Sequence, residues 1–133
     1  TRSPLWRGGA VVHGPQPRGY TFKVNRKVRQ LALRRALSAK VEEDQLVLVD
    51  GFHLPEIKTK HMIKIVSDFG WKKALIVLTD SDNNLELSAR NIPGIKVVRQ
   101  DMLNVYDVLL HEHVVMLQGT ALKVQERLGH GIR

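Results

Sequence analysis

The chain has no cysteine, and that excludes disulfides, cysteine-bearing zinc sites and thiol catalysis at once. It also has no apolar run near the roughly 18–20 residues that a bilayer-spanning helix requires. No charged, apolar, small-residue sequence of the kind that directs secretion opens the chain; its first segment is basic and rich in glycine and proline. A chain that opens on Thr1 is expected to be processed or partial. The phosphate-binding glycine patterns G-x-G-x-x-G and G-x-x-x-x-G-K-[ST] are missing, and so is the G-x-S-x-G turn of a serine nucleophile. Acidic residues are missing too, but only from one place. Residues 1–40 hold ten Lys or Arg and no Asp or Glu, whereas residues 41–133 hold eleven against thirteen. The whole net charge of +8 therefore belongs to the first third of the chain.

Positive charge concentrated beside a nearly neutral domain is the footprint of a polyanionic partner. Neutralising phosphates releases condensed counterions, so such a segment drives salt-sensitive affinity. A solvated basic face kept for solubility is the plainer reading, but solubility does not require forty residues without an acid.

What is present divides the chain in two. Residues 1–24 read as an extended basic arm, because three prolines and four glycines among the first twenty resist helix and central strand. The arm has too few core-forming residues to fold alone. Arg2, Arg7 and Arg18 suit bidentate contacts to phosphate, Ser3 stands among them, and Trp6 can stack on a base or sugar or pack on its own domain. Gly8 and Gly9 allow close approach to a nucleic-acid backbone. Lys23, Arg26, Lys27, Arg29, Arg34 and Arg35 carry the same potential onto a helix that Asn25 is placed to cap and that runs to about Val41. Its apolar residues lie on two sides, Val28, Ala32 and Ala39 against Leu33 and Leu37, so the helix has more than one contact surface.

Residues 25–133 alternate between strand and helix patterns. The runs at 46–50 and 74–79 are continuous and aliphatic, which predicts strands buried on both faces; 95–98 and 114–117 are shorter candidates. Between the first two, Met62, Ile65, Val66 and Phe69 share one face of a helix over 59–69, with Gly70 placed to end it. Further short helices are expected over 84–90, 104–110 and 120–128. This order argues an α/β domain with a mostly parallel sheet.

Several patterns that suggest chemistry have plainer readings. Asp80-Ser81-Asp82-Asn83-Asn84 opens like a calcium loop, but Leu85 stands where glycine is needed and Asn91 where a bidentate glutamate is needed. It reads as a polar turn with a helix N-cap. His111-Glu112-His113 offers two metal ligands without a third in reach, and reads as a turn; His13, His53, His61 and His130 are scattered. A crevice at the strand C-termini near Asp50 and Asp80 keeps open the alternative of a small α/β nucleotide- or metabolite-binding enzyme. A free-standing nucleic-acid-binding regulator is a further alternative.

At the residue level the chain resembles a known family. Arg2-Ser3-Pro4-Leu5-Trp6-Arg7-Gly8-Gly9, then Gly14-Pro15 and Pro17-Arg18, look like the second arm of the long loop in the universal large-subunit ribosomal protein L-four family, in its bacterial or mitochondrial form. The likeness continues through Asn25-Arg26-Lys27-Val28-Arg29, Ala36-Leu37-Ser38-Ala39-Lys40, Lys58-Thr59-Lys60, Leu87-Ser88-Ala89-Arg90-Asn91-Ile92-Pro93-Gly94 and Leu103-Asn104-Val105-Tyr106-Asp107-Val108-Leu109. It implies a three-layer domain with a four-stranded parallel sheet, and a basic loop that enters large-subunit rRNA. It also implies neighbouring large-subunit proteins as partners, and a part in subunit assembly and exit-tunnel architecture. No catalysis, cofactor, metal, membrane or small-molecule substrate is implied. The expected location is a large ribosomal subunit in bacterial cytoplasm or the mitochondrial matrix. Family members carry a longer N-terminal part with the loop's first arm and tip, which this sequence lacks.

Overall fold

The fold was analysed in a computed structural model, which describes residues 2–52, 54 and 56–129. Thr1 of the arm, the histidines His53 and His130, Pro55 and residues 131–133 lie outside the described residues.

The elements alternate as the pattern predicts: α1 (Arg26–Glu42), β1 (Leu46–Val49), α2 (Thr59–Asp68), β2 (Ala74–Leu78), α3 (Asn83–Ala89), β3 (Ile95–Arg99), a 3-10 turn (Gln100–Met102), α4 (Val105–Leu110), β4 (His113–Leu117) and α5 (Gln118–Gly129). The strands form one parallel sheet in the order β1-β4-β2-β3. A pleated strand sends alternate side chains to opposite faces. Leu75 and Val77 accordingly join Val114, Met116, Val108, Val124 and the α1 residues Leu33 and Ala36 on one face. Ala74, Ile76 and Leu78 join Met62, Trp71, Leu85, Ala89 and Val115 on the other. The result is three layers, with α1, α4 and α5 on one side of the sheet and α2 and α3 on the other. Each fully buried aliphatic side chain contributes about 1.5–3 kcal/mol relative to exposure.

The two long aliphatic runs differ in their setting. All five residues of β2 are buried, as expected of a central strand. β1 lies at the sheet edge, and its Leu48 is 52% exposed. The expectation that both runs are buried on both faces is corrected there: strand order, not composition, decides which run is covered twice. Phe69 also departs from the helical face assigned to it. It is exposed and stacks on Trp71, with ring centroids 4.6 Å apart.

Helices α1 and α2 end in the same way. After α2, Gly70 adopts φ +69°, its N–H donates to the Ser67 carbonyl (3.1 Å), and Trp71 N–H donates to Val66 (3.0 Å). After α1, Asp44 takes the same left-handed role at φ 54°, with Asp44 N–H to Val41 (3.1 Å) and Gln45 N–H to Lys40 (2.9 Å). These paired bonds satisfy carbonyls that a helix end leaves open. Asn25 does precede the first residue of α1, but its side chain makes no capping bond.

Candidate nucleic-acid interface

The arm begins with a compact double turn. Trp6 N–H donates to the Ser3 carbonyl (3.0 Å), Gly9 N–H to Trp6 (2.9 Å), and Ala10 N–H to Arg2 (3.3 Å), which closes the loop. Gly8 adopts φ +68°, a conformation costly for residues with a side chain. A Cβ on Gly9 would stand 2.0 Å from the Ser3 carbonyl oxygen, so glycine there is dictated by the chain's own turn.

The turn presents Leu5 and Trp6 to solvent, at 93% and 68% exposure. Trp6 does not pack on the domain. Val11, Val12, Tyr20 and Phe22 are exposed as well. Arg18 lies over the Tyr20 ring with its guanidinium carbon 4.6 Å from the centroid, a cation–π contact that keeps both groups on the surface. So many large apolar groups on an irregular segment call for an outside surface to cover them.

Among the described residues the cations of the arm and of the first turns of α1 form no ion pair. Arg2, Arg7, Arg18, Lys23, Arg26, Lys27, Arg29 and Arg35 are exposed, as is Ser3, and Arg34 is half-buried. Among the described residues the ion pairs are Lys58–Glu56 and Lys96–Asp107, neither of which involves the arm or α1. The arm and the first turns of α1 thus form one positive surface, and its charge is available to phosphates.

The face of α1 toward the sheet is Leu33, Ala36 and Lys40, with Leu37 partly buried against the same cluster. Lys40 was not singled out by sequence. Its Nζ donates to Gln45 Oε1 and, at 3.2 Å, to the Glu112 carbonyl, so this buried cation ties α1 to the start of β4. A second residue missed by sequence is Arg127 of α5, which stands beside Arg26 and Arg29 at a groove and donates to the Gln100 carbonyl. Neither had a local signal, since both placements depend on how distant segments pack.

The patterns that suggest other chemistry take structural roles. Asp82 caps α3 by accepting from Asn84 N–H (2.9 Å) and Leu85 N–H (3.3 Å). It lines a crevice at the strand C-termini with Asp80, and two carboxylates there oppose a phosphate ligand. His111 ends α4, its Nδ1–H donating to the Asp107 carbonyl (2.8 Å), while His113 opens β4. No group of three or more metal-ligating side chains occurs among the described residues. None of the described helices is long and apolar enough to cross a membrane.

Comparison with known proteins gives a consistent answer. Residues 1–127 match the model of the ribosomal protein L4/L1 family. The large ribosomal subunit protein uL4 of Solidesulfovibrio magneticus is 84% identical over 133 residues, all of this chain and 63% of that protein. The uL4 proteins of Oleidesulfovibrio alaskensis and Maridesulfovibrio salexigens are each 55% identical, over 96% of this chain and 62% of their own length. The chain thus spans just under two thirds of these relatives.

Proposed function

Since the chain belongs to the ribosomal protein L4/L1 family, we propose that it is a structural constituent of the large ribosomal subunit that grips large-subunit rRNA. The arm, residues 1–24, and the N-terminal turns of α1 make the contact; residues 25–133 form the α/β domain that anchors it. The single observation that carries this reading is the exposed, acid-free cationic surface from Arg2 to Arg35, joined to a packed three-layer core.

In this reading Arg2, Arg7 and Arg18 form charge-assisted bonds to phosphates. Trp6 stacks on a base or ribose, and Gly8 and Gly9 shape the turn that presents it, beside Ser3. Lys23, Arg26, Lys27, Arg29, Arg34 and Arg35 extend the contact along α1. The role is architectural and needs no cofactor: the chain supports subunit assembly and the setting of the exit tunnel, beside neighbouring large-subunit proteins. The relatives quoted are bacterial, which favours bacterial cytoplasm over the mitochondrial matrix.

Filter binding to large-subunit rRNA across a salt series tests it. Affinity should fall steeply with salt, and Arg7→Gln should lower the log–log slope by about one. An affinity independent of salt would remove the basis of the reading.

A further inference from the structure

The sheet has two edges, and they are finished differently. On β3 the exposed cations Lys96 and Arg99 interrupt the apolar pattern, a common means of refusing a further strand. β1 is a run of aliphatic residues without charge or proline, and among the described residues it pairs with β4 alone. Beside this edge lies a groove of about 430 Å³, lined by Val47, Leu48, Val49, Phe52, Ile65 and Phe69. Leu48 and Phe69 are both more than half exposed, and the stack on Trp71 fixes the Phe69 ring in place. An unpaired strand edge beside an apolar trough suits an extended peptide. Backbone bonds hold such a peptide, and its alternate side chains enter the trough.

Charge says which peptide. Residues 41–57 hold the acids Glu42, Glu43, Asp44, Asp50 and Glu56 and no Lys or Arg, the reverse of the arm. All of these acids are exposed. Glu56 is paired with Lys58, while the other four bracket β1, three before it and Asp50 after it. Phe52 also lines the crevice of Asp80 and Asp82, so the acidic border continues past the end of the groove. Such a border repels RNA phosphates. Pairing the β1 edges of two copies would bring both sets of acids together. A cationic polypeptide is the occupant that this charge favours.

We propose that the free edge of β1 accepts, as a fifth strand, an extended segment of another protein with an alternating apolar core and cationic ends. Its apolar side chains enter the groove between Leu48 and Phe69. Its cations meet Glu42, Glu43 and Asp44 at one end and Asp50 at the other. The site stands apart from the rRNA-binding reading, whose cations lie on the arm and α1.

The test titrates the full chain, without RNA, with the labelled peptide Lys-Lys-Val-Thr-Val-Thr-Val-Lys-Lys and reads fluorescence anisotropy. Its counterpart, N-methylated through the central Val-Thr core, keeps the charge but cannot donate strand hydrogen bonds. Binding of the first peptide should be saturable and one-to-one, and at least about tenfold tighter than that of the second. Leu48→Lys should weaken it at least about tenfold, and Asp50→Lys, in an exposed loop position, at least about threefold. Glu126→Lys, which reverses an exposed acid on α5, should change it less than about twofold. Equal affinity for the two peptides would reveal charge attraction alone and overturns the proposal. So does absence of binding to the parent chain, unchanged binding by folded Leu48→Lys, or an equal loss in Glu126→Lys. Self-association of the parent chain that Leu48→Lys abolishes also overturns it, because a second copy is then the occupant.

Discussion

Lys96 reaches from β3 to Asp107 on α4, placing its Nζ 2.8 Å from each carboxylate oxygen. The pair is asymmetric: the Asp107 side chain is almost fully buried, whereas the Lys96 side chain is half exposed. Asn104 adds a donor to Asp107 Oδ2 (2.9 Å) and accepts from Asp107 N–H (2.8 Å) as the cap of α4. One buried carboxylate thus joins the last sheet strand to the helix that precedes β4.

That asymmetry sets the order of two substitutions. Lys96→Met leaves a buried carboxylate without its cation, and removal of one partner from a buried pair is the costly direction. Asp107→Asn leaves a lysine that water can solvate. Lys96→Met should cost about 2–3 kcal/mol and Asp107→Asn about 1 kcal/mol, measured as shifts in urea unfolding. The reverse order would show that the pair is solvated on both sides.

The same carboxylate gives the fold an acid limit. Burial pushes the Asp107 acidity toward higher pKa, but hydrogen bonds from Lys96 and Asn104, with the charge of Lys96 and His111, hold it below its ordinary value of 3.8. A group held below its unfolded value stabilises the fold fully above that value, and the contribution disappears as pH falls through the folded value. The stability gap between the parent chain and Asp107→Asn should therefore be constant near neutral pH and close below about pH 4. A gap that persists unchanged under acid would contradict the geometry.

Two helix ends of one design should answer in opposite directions. Asp44 takes the left-handed position after α1 that Gly70 takes after α2, and a Cβ at Gly70 would meet open space. Backbone conformation alone should then govern both sites. Gly70→Ala should destabilise by about 1 kcal/mol and Asp44→Gly should stabilise by a few tenths up to about 1 kcal/mol, in thermal unfolding.

Much of this was legible in the sequence because periodicity is local. The runs at 46–50, 74–79, 95–98 and 114–117 each mark a strand to within a residue or two at the boundaries, and the four later helices follow suit. What periodicity cannot carry is order. That β4 inserts between β1 and β2, leaving Leu48 at an edge, follows from long-range pairing. Lys40, Lys96 and Arg127 carry no local signal of their roles for the same reason: their partners lie 72, 11 and 27 residues away. The arm shows the opposite case. Its charge and its resistance to regular structure were plain from composition, while the need for Gly9 came from a contact with Ser3 six residues earlier.

Gly9 separates the arm from the domain experimentally. Gly9→Ala places a methyl into the Ser3 carbonyl and breaks the turn that displays Trp6. Domain stability should stay within about 0.5 kcal/mol, since the site touches no core residue. Affinity for large-subunit rRNA should drop several-fold, by about 1 kcal/mol or more, as in loss of a stacking group. Unchanged affinity in a filter-binding titration would show that the turn does not present Trp6 to RNA.

The most direct test of the account is deletion of residues 1–18 from this chain, followed by sedimentation of cell extracts at moderate salt. The account predicts that the parent chain travels with large ribosomal subunits. The deleted chain should remain in the soluble fractions, with an α/β circular dichroism spectrum and cooperative unfolding intact. A deleted chain that still enters large subunits to the parent level would contradict it.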